Sequence, residues 1–117
     1  MSLNTFINSV TSNQPVSFEE TMAIINEYYA YTATTFSNGL GDKAVINEAG
    51  SNEGSCKIFA FAQLNQLDQQ QTLKLFGDYY QDVLNDPIGS SHQNIRNFML
   101  SGWKGIQFAN PDALVIK

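Results

Sequence analysis

The run Ile58-Phe59-Ala60-Phe61-Ala62, followed closely by Leu64, constrains this chain more than any other feature. Wound as a helix over about residues 55–67, it is apolar nearly all round. Such a helix cannot lie on a surface and has to be surrounded. The rest of the chain must supply that cover. At 117 residues it can, since a chain of this size buries roughly two-thirds of its unfolded surface. The length fits one domain, 1–117, and is too short for a doubly wound nucleotide enzyme or a barrel.

Other segments carry one-sided apolar stripes that suit the covering role. Leu3, Phe6, Ile7 and Val10 have helical spacing and stop before Pro15. Ser17 with Glu20 makes a capping-box pattern ahead of Phe18, Met22, Ile25 and Tyr29, a stripe widened by Ile24, Tyr28 and Tyr31. Asp68 with Gln71 repeats that pattern ahead of Leu73, Phe76, Tyr80 and Val83 or Leu84, ending before Pro87. Ser90 or Ser91 is placed to cap a last helix bearing Ile95, Phe98, Met99 and Trp103, frayed by Gly102 and Gly105. Residues 32–54 break the periodicity with Asn38-Gly39, Gly41, Gly50 and Gly54. A stretch this long with little regular structure is unusual in a small domain and is often functional. Only Ala44-Val45-Ile46 reads there as a strand, with Ile106-Gln107-Phe108 as its partner. The expected fold is therefore mainly α: about five helices around the central one, with at most a two-stranded ribbon of 44–46 against 106–108.

Eleven acidic residues against six basic ones give a net charge of −5. Phosphate binding needs a surplus of Lys and Arg, so nucleic acid and anionic membrane surfaces are not expected partners. No apolar run approaches the roughly 20 residues that span a bilayer. Cys56 is the sole cysteine, which excludes an intrachain disulfide and suits a reducing cytoplasm. The start lacks the basic and long apolar regions of a Sec signal peptide. Nine of residues 2–14 are Ser, Thr, Asn or Gln. Uncharged polar starts of that kind occur in type III secretion substrates, although a short amphipathic helix stopped before Pro15 is the favoured reading.

From residue 50 onward several words become distinctive. They are Asn52-Glu53-Gly54-Ser55-Cys56-Lys57-Ile58-Phe59-Ala60-Phe61-Ala62, Phe76-Gly77-Asp78-Tyr79-Tyr80, His92-Gln93-Asn94-Ile95-Arg96-Asn97-Phe98-Met99 and Gly102-Trp103-Lys104-Gly105-Ile106. Upstream, Thr21-Met22-Ala23-Ile24-Ile25 and Tyr31-Thr32-Ala33-Thr34-Thr35-Phe36 continue them. Over about residues 3–108 the chain resembles the HopJ type III effector family. The resemblance implies a bacterial protein, cytoplasmic or secreted by a type III system, and brings no established reaction with it. Typical members carry Pro where Ala33 stands and Asp where Ser91 stands, so no role here rests on a carboxylate beside His92.

Two constellations are candidates for chemistry. Cys56 falls in the first turn of the central helix next to Lys57, and both features favour a thiolate. His92 is the only histidine and also lies near a helix start. If the two met, Cys56 would be a nucleophile and His92 its base, with Asn94 or Asn52 orienting the ring. The plainer reading is a buried thiol and a surface or capping histidine. The second constellation is a polar ligand site of Asn52, Glu53, Lys57, Asn94 and Arg96. Glu53 with Arg96 is the expected ion pair, either a clamp pinning the loop to the last helix or one wall of a cleft in which Arg96 holds an anion.

Asp78, Asp82 and Asp86 share a helix face but read as solvated carboxylates. Asp42 and Glu53 have the end spacing of an EF-hand loop, yet Ala44 and Ile46 occupy ligand positions. No metal site and no cofactor is expected. The favoured function is a non-enzymatic binding or interaction module with a polar cleft, its partner a protein or small molecule. The alternatives are a small cysteine-dependent enzyme and a self-associating protein, a homodimer through the apolar tail Ala113-Leu114-Val115-Ile116.

Overall fold

The central helix forms where its composition demands. In the computed structural model, which describes all of residues 1–117, α3 spans Glu53–Leu64 and buries Cys56 and every residue from Ile58 to Ala62. Its last turn differs from expectation: Leu64 is exposed, the helix stops there, and Gln66 turns the chain at φ +57° so that Leu67 is buried instead. Two aromatic clusters flank the helix. Phe61 meets Phe6 and Tyr29 edge-on, at 6.0 and 5.6 Å between ring centres. Phe59 packs against Phe36, Phe76, Phe98 and Trp103. Edge-to-face pairs of this kind add stabilisation beyond buried area alone.

Five further helices supply the cover: α1 (Leu3–Thr11), α2 (Phe18–Tyr28), α4 (Gln69–Lys74), α5 (Asp78–Asn85) and α6 (Gln93–Ser101). Both capping boxes form. Ser17 Oγ accepts the Glu20 amide and Asp68 accepts the Gln71 amide, while the Glu20 and Gln71 side chains accept the cap amides in return. The stripe from Leu73 to Val83 is split in two, giving one more helix than expected. Gly77 causes the break. Its φ is +58°, and a Cβ there would lie 2.6 Å from the Phe18 backbone nitrogen. The chain can pass the start of α2 only as glycine. Ser90 and Ser91 do not cap α6. His92 holds that position in the left-handed conformation.

The expectation of a mainly α bundle with a minimal ribbon is wrong: this is a mixed α/β fold. Five strands, β1 (Tyr29–Tyr31), β2 (Phe36–Asn38), β3 (Val45–Asn47), β4 (Ile106–Phe108) and β5 (Leu114–Ile116), make two antiparallel sheets. The segments expected to pair with each other do not. β3 and β4 both pair with β2, Phe36 opposing Asn47 on one side and Phe108 on the other. β2 alternates properly, with Phe36 and Asn38 buried and Ser37 partly exposed. Its polar residues and the Asn38-Gly39 turn conceal it in the sequence. Tyr29, expected on the α2 stripe, and Tyr31, expected to widen it, instead belong to β1, which leaves the helix and pairs with β5, Tyr29 opposite Ile116. The tail therefore docks on its own chain, with Ala113 and Leu114 buried. No helix is long and apolar enough to cross a membrane.

Candidate functional site

The starts of α3 and α6 face one cleft of about 440 Å³. Asn52, Gly54 and Ser55 line it from the first, and His92, Gln93 and Asn94 from the second. Phe18, Phe76 and Tyr79 contribute an aromatic wall. Gly54 lets that wall close in, since a Cβ there would be 3.1 Å from the Phe18 ring. Phe18 and Tyr79 meet edge-on at 4.9 Å, and the Tyr79 and His92 rings lie 5.3 Å apart.

Buried asparagine side chains hold the two helix starts together. Asn47 on β3 accepts at Oδ1 from Asn52 Nδ2 (2.7 Å) and from Asn94 Nδ2 (2.9 Å). Its own Nδ2 donates back to Asn94 Oδ1 at 3.1 Å. Asn38 on β2 donates to Asn94 Oδ1 and to the Asn94 carbonyl. Asn97 donates to the carbonyls of Asn38 and Lys43, which anchors α6 to the turn after β2. A polar network in a low-dielectric interior rigidifies its surroundings where its groups are satisfied. Sequence composition foreshadows this: 12 asparagines in a chain with few charges need somewhere to bond.

Two helix starts bring partial positive charge to the cleft without a lysine or arginine in its lining. Both helices begin at a residue in the left-handed conformation, Asn52 at φ 52° and His92 at φ 55°, and neither start has a side-chain cap. The first-turn amides of a helix have no intrahelical partner, and the macrodipole places partial positive charge there. No Lys, Arg, Asp or Glu lines the cleft. Asp82 Oδ2 lies 3.7 Å from His92 Nε2.

The expected site residues divide into two groups. Asn52, Asn94 and His92 line the cleft together. Glu53, Cys56, Lys57 and Arg96 do not. Arg96 and Glu53 form no ion pair. Arg96 instead donates to the carbonyls of Ser91 and Asp86 and to Ser91 Oγ, clamping the loop ahead of its own helix. Glu53 is exposed. Lys57 Nζ donates to Asn26 Oδ1 at 3.0 Å and lies 4.9 Å from the centre of the Tyr31 ring.

Cys56 is 1% exposed, and its thiol is directed to the Thr34 carbonyl at 4.0 Å. Burial pushes its ionisation up, outweighing the lowering effect of Tyr31, Thr34 and Lys57. The His92 ring engages Asp82 and Tyr79. Cys56 and His92 therefore make no nucleophile–base pair. Ser55, Gln93 and the aromatic wall are cleft residues that sequence reasoning missed. Ser55 adjoins Cys56 in a helix start already singled out. Phe18 and Tyr79 are indistinguishable in sequence from the rest of their apolar stripes. No group of three or more His, Cys, Asp or Glu gathers as a metal site would require.

Comparison with known proteins agrees with this architecture. The family model described as HopJ type III effector protein matches residues 3–114. A crystal structure described as that of the unknown function protein VPA0580 is similar at a TM-score of 0.93 and 47% identity. That similarity covers 100% of this chain and 95% of the other. No curated protein matches the chain.

Proposed function

This chain belongs to the HopJ type III effector family, and from that premise we propose that it is a non-enzymatic binding module whose cleft takes a small molecule with an anionic head and a flat apolar body. One observation carries the reading: two uncapped helix starts share one cavity that no Lys, Arg, Asp or Glu side chain lines. The amides there suit a carboxylate or phosphate, as helix N-termini do generally. Asn52, Ser55 and Gln93 offer neutral hydrogen-bond donors. Phe18, Phe76 and Tyr79 offer a ring-sized apolar surface. The family's designation adds secretion by a type III system as the cellular setting of this reading.

The test is an NMR titration with phenylacetate, and with 2-phenylethanol as its uncharged counterpart. Phenylacetate is expected to shift the backbone amides of Gly54, Ser55, Gln93 and Asn94 along one saturable curve. A fragment of this size should bind with a Kd on the order of 1 mM, about −4 kcal/mol. 2-Phenylethanol should bind more weakly. Ser55→Leu, which fills the cleft, should abolish the shifts while the protein stays folded. Equal shifts for both compounds would remove the anionic head from the proposal, and no saturable shift with either compound would end it.

A further inference from the structure

We infer that Asn47, which does not itself line the cleft, is the positioning residue that sets the spacing of the two helix starts and with it the affinity for the anionic head. The inference rests on the cleft reading above and concerns how that cleft is held open. Asn47 is 2% exposed. Its single side-chain oxygen has two acceptor positions, and each is taken by a different helix start, Asn52 of α3 and Asn94 of α6. Its amide nitrogen completes a reciprocal pair with Asn94 and also lies 3.4 Å from the Phe36 carbonyl. Asn47 is thus the only side chain bonded to both helix starts, and β2 holds it in register from behind.

No other side chain supplies this combination. Alanine leaves the Asn52 and Asn94 amides without their acceptor. Aspartate keeps the acceptor, and once ionised it loses the donor to Asn94 and puts a carboxylate behind a site built for anions. Glutamine carries the same groups one methylene further out, so its oxygen cannot reach both helix starts at the present backbone spacing. A displacement of about 1 Å in a preorganised site is enough to cost an order of magnitude in what it does.

The full-length chain is titrated with phenylacetate, whose charge is constant above pH 6, as wild type, Asn47→Asp and Asn47→Ala. Each variant is first checked for a cooperative melt. Both variants are expected to weaken phenylacetate at least about 10-fold. In Asn47→Asp the loss, taken relative to wild type at each pH, should deepen from pH 6 to pH 8 as the buried carboxyl ionises. A merely structural role would lower the melting temperature of the variants and leave the affinity of the folded protein for phenylacetate unchanged. Variants that melt cooperatively and bind within twofold of wild type would overturn the inference while leaving the cleft reading intact. A wild type that does not bind would instead remove the cleft reading. Should neither variant fold, the side-chain amide resonance of Asn47 is followed in the wild type. It should move with the same Kd as those of Asn52 and Asn94, and a stationary Asn47 signal would overturn the inference.

Discussion

Cys56 has the two features that usually make a thiol reactive, a helix start and an adjacent lysine. Burial overrides both, because a thiolate loses more on leaving water than Lys57 returns. The consequence is a stability that depends on alkaline pH. In the unfolded chain the thiol ionises near pH 8.5 to 9. In the folded chain it keeps its proton to higher pH. Between those two values the unfolded state binds fewer protons, so stability is fully present below about pH 8.5 and falls as pH rises. The Tyr31 phenol behaves alike from about pH 10, pushed up first by burial and then by Cys56 and Glu53. Urea midpoints of wild type and Cys56→Ala at pH 7, 9 and 10 measure the effect. The wild type should lose more stability across that range than the variant, and parallel declines would show that the thiol contributes nothing. At this scale the sequence was informative about place and silent about direction. That Cys56 and His92 sit at helix starts is legible, whereas Asn52 reads as a loop residue and is in fact the cap of α3. That the thiol turns inward while Asn52 and His92 turn to one cleft depends on strands the sequence hid. For Arg96 the sequence suggests Glu53 as partner, whereas the carbonyls of Ser91 and Asp86, both within ten residues along the chain, take up the guanidinium.

Among the elements, the division of α4 from α5 carries the clearest energetic consequence. The apolar spacing of Leu73, Phe76, Tyr80 and Val83 identified four residues that are indeed buried. It could not reveal that the segment is two helices, because the obstacle is the backbone of Phe18, remote in sequence. Gly77→Ala should therefore destabilise on two counts, a positive φ unsuited to a Cβ and a 2.6 Å approach to backbone. A loss of about 3 kcal/mol is expected, a fall in Tm on the order of 10 °C. Gly41 is the internal control. Its φ is +59°, yet nothing lies within 4 Å of the Cβ position, so Gly41→Ala should cost only about 1 kcal/mol. Equal losses at the two positions would mean that conformation alone matters, and that the crossing at Phe18 is looser than the geometry requires.

For the whole molecule, the last strand decides how the C-terminal segment is joined to the chain leaving α2. β5 pairs with β1 and packs on α3, so residues from the C-terminus complete the cover of the central helix. Backbone bonds extend the pairing beyond the strand, from the Thr32 amide to the Ala113 carbonyl and from the Lys117 amide to the Tyr28 carbonyl. Lys117 Nζ adds a bond to the Asn26 carbonyl. An apolar tail read in sequence alone had two equivalent destinations, its own core or a neighbouring copy, since hydrophobic burial carries no address. The strand register supplies the address, because Leu114 is inward only when it opposes Tyr31 and places Ile116 opposite Tyr29. Deleting residues 112–117 should then act on stability rather than on assembly. Losing the buried Leu114 and Ala113 and uncovering Tyr29 should cost about 3 kcal/mol or more, a large share of the 5–15 kcal/mol typical of a small domain. Urea unfolding and light scattering of the full and shortened chains, at equal concentration, separate the alternatives. A lower midpoint with the same number of chains per particle is the expected result. A halved mass with an unchanged midpoint would assign the tail to a dimer interface, and the β1–β5 pairing would then have to be exchanged between two copies.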